Sequence, residues 1–116
     1  MLMLPPSVRI FVASRPVDLR RSFDGLAALT QEQLELDPWS GHLFVFRNRS
    51  GDRVKILYWD RSGFCVWYKR LEKGCFRLPQ GSSQCVELES SELGLLLEGI
   101  DLAGARHRPR WIRQAA

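Results

Sequence analysis

The side chains of this sequence that can do chemistry are mostly cationic. Between Arg47 and Arg77 the chain carries nine bases against three acids. Arg106, Arg108, Arg110 and Arg113 then follow in a tail without an acid. Arginine and lysine at this density suit phosphate oxygens, and Trp59 and Trp67 lie among them, where indole can stack on a base or sugar. Arg20 and Arg21 are a second candidate. If a helix starts at Asp18, positive charge in its first turn opposes the macrodipole, and arginine with free helix amides would suit a phosphate. Pairing of either arginine with Asp18 or Asp24, or a helix starting only at Ser22, would remove that argument.

Carboxylate and metal chemistry have weaker support. Two-metal phosphodiester cleavage needs acids gathered at one point. Asp18, Asp24, Asp52, Asp60 and Asp101 are available, but Asp18 suits a helix cap, Asp60 a turn, and Asp52 stands beside one. The sequence has no Gly-rich phosphate loop, no His-Glu-x-x-His and no Gly-x-Ser-x-Gly elbow. Cys65, Cys75 and Cys85 are odd in number, and with only His42 and His107 beside them a zinc site is not expected. The expectation is a non-enzymatic chain without cofactor or metal. Free cysteines fit a reducing cytoplasm, and no apolar run approaches the ~20 residues of a membrane span.

These residues must be positioned by a sheet. Asn48-Arg49-Ser50-Gly51, Asp60-Arg61-Ser62-Gly63 and Leu71-Glu72-Lys73-Gly74 each read as a type I turn closing through a left-handed glycine, a three-residue hairpin loop. That loop length places Phe46 opposite Val54, Phe44 opposite Ile56, Tyr58 opposite Val66 and Arg70 opposite Phe76. One face of the meander then collects Phe44, Phe46, Val54, Ile56, Tyr58, Phe64, Val66, Tyr68, Phe76 and Leu78. The other collects Val45, Arg47, Arg53, Lys55, Leu57, Trp59, Cys65, Trp67, Lys69 and Arg77, a cationic surface with two tryptophans. Two open tryptophans form a patch that meets something. If a second helix covers this face, Leu57, Trp59 and Trp67 become core instead.

Around the meander, Val8 to Ala13 reads as an opening strand. Asp18 is placed to cap a helix running to about Leu36, with Phe23, Leu26, Ala27, Thr30 and Leu34 as its inner stripe and Leu29 beside them. Cys85 to Leu88 reads as an edge strand. Ser90 would cap a second helix, with Leu93, Leu96 and Leu97 on one side and Gly99 at its end. The fold class expected is α+β: an antiparallel β-meander of about four to six strands, one longer N-terminal helix and one short C-terminal helix. A single domain spans 1–102, and 103–116 is a basic tail.

Several blocks are longer and more specific than these patterns. They are Asp18-Leu-Arg-Arg-Ser-Phe-Asp-Gly-Leu26, Asp37-Pro-Trp-Ser-Gly-His-Leu-Phe-Val-Phe-Arg47, Gly51-Asp-Arg-Val-Lys-Ile-Leu-Tyr-Trp-Asp60, Gly63-Phe-Cys-Val-Trp-Tyr-Lys-Arg-Leu-Glu-Lys-Gly74 and Leu96-Leu-Glu-Gly-Ile-Asp101. In these the chain resembles the accessory protein, called TnpB, of the insertion sequence 66 family, with Ser22 where many members have Gly. The resemblance implies a role in DNA transposition beside a separate transposase that carries the catalytic acids, and it transfers no catalytic residue.

The function expected is a non-catalytic accessory factor that binds DNA at element ends. Its proposed contacts are Arg20, Arg21, Arg47, Arg53, Lys55, Lys69, Arg77 and the tail arginines, with Trp59 and Trp67 as packing or stacking groups. The alternative is a protein–protein adaptor docking on the transposase without DNA contact. The expected partners are DNA, the transposase and the element's other accessory protein, with no membrane, in a cytoplasmic, nucleoid-associated setting.

Overall fold

A computed structural model describes residue 5 and residues 7–79, 81–98, 100–101 and 106–107. Its centre is a five-stranded mixed sheet. The strands are β1 (Ile10–Ala13), β2 (Leu43–Arg47), β3 (Arg53–Asp60), β4 (Gly63–Arg70) and β5 (Cys85–Leu88), in the order β4-β3-β2-β1-β5. Helix α1 (Phe23–Glu32) connects β1 to β2, and α2 (Ser90–Leu97) follows β5. A short two-stranded ladder pairs β6 (Ile100–Asp101) with β7 (Arg106–His107). The class is α+β, but the sheet is not the all-antiparallel meander expected. β1 runs parallel to β2, an arrangement that requires a crossover and receives it from α1.

The two helices cover opposite faces of the sheet, which explains why β1 and most of β2 are buried at every position. On the α1 side, Phe11, Phe44, Phe46 and Leu57 pack with Leu26, Ala27, Leu29 and Leu34. On the α2 side, Ile10, Val12, Val45, Val54 and Ile56 pack with Leu93, Leu96 and Leu97. The sheet therefore has two apolar faces rather than one.

This double cover overturns the expected register. Phe44 pairs with Leu57 and Leu57 with Val66, while Val45 pairs with Ile56 and Ile56 with Trp67. Both hairpins differ by one residue from the three-residue loops read from the turns, and a one-residue shift exchanges faces. In the first, Asn48 Nδ2 donates to Asp52 Oδ1 (2.7 Å) and Asn48 Oδ1 accepts from the Arg53 amide (3.1 Å). Those bonds hold a wider loop. In the second, Asp60 pairs directly with Gly63, leaving Arg61 and Ser62 as the loop, and Arg61 itself takes the left-handed conformation at φ 45°.

The third expected hairpin is absent, because residues 71–78 leave the sheet. Leu71 N donates to Asp52 O (2.8 Å) and Phe76 N to Gly51 O (2.7 Å), so the segment folds back on the first turn. Phe76 and Leu78 then enter the α2-side core.

Helix α1 is shorter than expected at both ends, stopping at Glu32 rather than near Leu36, and both helices have other N-caps than those expected. α1 starts at Phe23 with Ser22 as its N-cap, so Asp18 is not its cap, and Arg20 and Arg21 precede its first turn. Phe23 is 46% exposed rather than part of the inner stripe, whereas Leu26, Ala27, Leu29 and Thr30 are buried. The N-cap of α2 is Glu89, whose amide donates to Glu92 Oε1 (3.1 Å), not Ser90. Gly99 lies outside the described residues.

Candidate nucleic-acid interface

The strand directions gather charge at one end of the sheet. β2 and β4 end there and β3 begins there, so residues 47–53 and 69–77 meet, already tied by the bonds from Leu71 and Phe76. The segment after β1 joins them through Val17 N, which donates to Arg47 O (2.8 Å). This end holds Arg20, Arg21, Arg47, Arg49, Arg53, Lys69, Arg70, Lys73 and Arg77, with Asp18, Asp52 and Glu72 as its acids.

The acids are engaged locally. Asp18 accepts from Arg20 Nε (3.0 Å) and Nη2 (2.7 Å) and from the Arg20 amide (3.0 Å), which pulls its carboxyl down to about 2. Asp52 is held below the usual carboxylate range first by Asn48, with Ser50 adding a further hydrogen bond. Glu72 pairs with Arg70 at 2.9 Å. Arg21, Arg47, Arg49, Arg53 and Arg77 have no carboxylate partner among the described residues.

The cations divide between the two sides of the sheet, which corrects the single cationic face. On the α1 side, Lys55 Nζ donates to Arg21 O (2.9 Å) and stands 4.9 Å from the centre of the Tyr68 ring, while Arg53 Nη1 donates to Tyr68 Oη (3.2 Å). Arg21, Lys55, Tyr68 and Arg53 thus form one continuous patch, with Tyr68 48% exposed. On the α2 side, Arg47 shares a groove of about 240 Å³ with Arg49 and Arg77. Lys69 has a structural task, donating at 2.7 Å to Leu97 O at the C-terminal end of α2. A cation there satisfies a free carbonyl and complements the helix dipole.

Trp59 and Trp67 do not share a face. Trp59 lies on the α1 side at the opposite end of β3, ~20 Å from Arg53 at the rise of an extended strand. Its ring meets Phe64 edge-on at 5.0 Å, and Trp39, 49% exposed, meets the same Phe64 at 5.8 Å. Trp67 is half-buried against the α2-side core. Of the tail, Arg106 is placed only by its backbone in β7, and Arg108, Arg110 and Arg113 lie outside the described residues.

Arg49 was missed from the sequence because its segment reads as a turn and nothing more. Its signal was the spacing Arg47, Arg49, Arg53 across a turn that must fold the three onto one end. Gly51 shows how tightly that turn is set. It has φ 77°, and a Cβ there would stand 3.3 Å from Cys75 Cβ. Gly51→Ala should therefore cost about 1–2 kcal/mol, read as a lowered urea midpoint at unchanged slope.

Among the described residues no three His, Cys, Asp or Glu side chains gather as a metal site, and no helix is long and apolar enough to cross a membrane. A family model described as IS66 Orf2 like protein matches residues 8–107. The chain belongs to the IS66 Orf2-like (TnpB) family. Two proteins from Sinorhizobium fredii are similar over most of their length. The uncharacterized protein y4jC is 39% identical over 109 residues, covering 92% of this chain and 93% of that protein. The uncharacterized protein y4hO is 41% identical over 101 residues, covering 85% and 88%. No solved structure matches. The family match takes in both the α1-side patch and the α2-side groove of the basic end.

Proposed function

We propose that this IS66 Orf2-like protein is a non-catalytic accessory factor for transposition that holds DNA by its phosphate backbone at the basic end of the sheet. The observation that carries the reading is the meeting of three basic segments at one end, with their acids already engaged by neighbours. The patch around Tyr68 and the arginine groove flank the Asn48–Asp52 turn, so a backbone crossing that turn would find cations on both sides. Arginine suits such contacts because its planar fork matches phosphate oxygens.

Titration of the purified chain against a labelled duplex of an element end tests this. About four phosphate contacts give a log–log salt slope near −3 to −4. A scrambled duplex of equal length reports whether the end itself is preferred. Absence of binding at low salt would overturn the reading.

A specific observation favours a second reading, an adaptor docking on the transposase. Trp39, Trp59 and Phe64 form an aromatic cluster at the opposite end from the three basic segments, and tryptophan is a favoured interface anchor. Under that reading Trp39→Ala abolishes capture of the transposase and leaves the DNA titration unchanged.

A further inference from the structure

We infer that the groove between the Asn48–Asp52 turn and the 75–78 segment is a single phosphate site, in which Arg47, Arg49 and Arg77 close on one phosphodiester group. The inference rests on the DNA-binding reading and goes further, since it assigns a stoichiometry of three arginines to one phosphate.

The groove is lined by Arg47, Arg49, Ser50, Gly51, Cys75, Phe76, Arg77 and Leu78, and none of these is a carboxylate. Three positive side chains bordering one small groove repel one another, and no acid among the described residues pairs with any of them. A bound anion would relieve that repulsion. At about 240 Å³ the groove is smaller than the roughly 300–1,000 Å³ of pockets that enclose a drug-sized ligand, so it suits a small group carried on a larger molecule.

The frame is also fixed before any ligand arrives. Asn48 and Ser50 both donate to Asp52 Oδ1, which locks the turn carrying Arg49. The Phe76 amide bond to Gly51 O fastens the segment carrying Arg77, and Phe76 itself is buried in the core. Arg47 ends β2 and is half-buried. Rigid placement of the backbone that carries the three arginines lowers the ordering cost of binding.

Convergence has a signature that separate contacts lack. The salt slope counts phosphates neutralised, at about 0.9 per phosphate on duplex DNA. Removing three arginines that share one phosphate should reduce the slope by about 0.9, whereas three separate contacts would reduce it by about 2.7. The experiment compares wild type, Arg47→Gln/Arg49→Gln/Arg77→Gln and the corresponding triple lysine variant on one duplex, with circular dichroism to confirm the fold. The expected result is a slope reduced by about 0.9 in the glutamine variant. The lysine variant should keep the slope but bind more weakly, because lysine holds the charge without the planar fork.

Duplexes with and without 5′-phosphates, and competition by inorganic phosphate, separate an internal phosphodiester from a strand end or a free ion. Equal binding of both duplexes is expected. Dependence on the terminal phosphate, or competition by millimolar inorganic phosphate, would overturn the assignment to an internal group. An unchanged slope, or one reduced by about 2.7, would overturn the single-phosphate site while wild-type binding left the DNA reading standing. Wild type that fails to bind at low salt would remove the DNA reading itself.

Discussion

Leu57→Ala should destabilise the fold by about 3 kcal/mol, within the range of 2–5 kcal/mol for emptying a buried leucine site. Leu57 is fully buried on the α1 side, between Phe44 on β2 and Val66 on β4. Its neighbours belong to three strands of one sheet and cannot collapse onto a vacated site without disturbing the ladder. Urea unfolding of wild type and variant at matched conditions measures the cost as a shift in midpoint at constant slope. The same substitution tests whether the face carrying Leu57 is covered. In the pairing read from the turns, residue 57 lies on the cationic face beside Arg53 and Lys55, where truncation costs well under ~1 kcal/mol if that face is open. A small loss would therefore contradict the observed pairing of Phe44 with Leu57.

That register shows where the sequence was legible and where it was not. Strands β1 to β4, the buried stripe Leu26, Ala27 and Thr30 of α1, and the cluster Leu93, Leu96 and Leu97 were readable from periodicity, while the strand expected through Phe76 and Leu78 is absent. The edge strand Cys85–Leu88 was readable as well. The faces were not, because alternation alone does not say whether the second side of the sheet is open or covered by a helix, and here both sides are covered. Sorting Phe44, Phe46, Val54 and Ile56 together gave an apolar face and a charged one, and that neat division counted in favour of three-residue loops. A sheet covered on both sides has no such division to reveal. Phe46 beside Lys55 and Arg47 beside Val54 look mixed in a list, yet each pair lies near the end of the sheet, where a long cation can lean out to water.

The parallel pairing of β1 with β2 was hidden for a related reason, since both strands are uninterrupted apolar runs that fit either direction. The basic end was partly legible: the charge excess from Arg47 to Arg77 was evident, but its location depended on strand direction. Lys69 and Trp67 show the cost of that gap. Lys69 bonds the end of α2, and Trp67 takes the covered alternative by packing against the α2-side core.

Arg21→Glu/Arg53→Glu should lower duplex affinity by more than about a hundredfold at 0.1 M salt and leave the fold intact. Counterion release gives each phosphate contact roughly a tenfold factor at that ionic strength, so two lost contacts account for about a hundredfold, and reversed charges add repulsion. Arg21 and Arg53 are exposed and bracket the patch in which Lys55 and Tyr68 are already engaged with each other. Arg53 gives up one charge-assisted hydrogen bond, to Tyr68 Oη, and solvent exposure on the protein surface keeps its contribution to about 1 kcal/mol. The unfolding midpoint should hardly move.

The salt slope separates the two candidate surfaces. If Arg21 and Arg53 each hold their own phosphate across the Lys55–Tyr68 contact, this pair should reduce it by about 1.8, twice the change expected of the arginine groove. If affinity and slope both stay at wild-type values, the α1-side patch does not touch DNA. Any binding that remains must then come from the groove side of the Asn48–Asp52 turn or from the basic segment beyond β7. Truncation at residue 107 tells those two apart, since it removes Arg108, Arg110 and Arg113 and leaves Arg47, Arg49 and Arg77 in place.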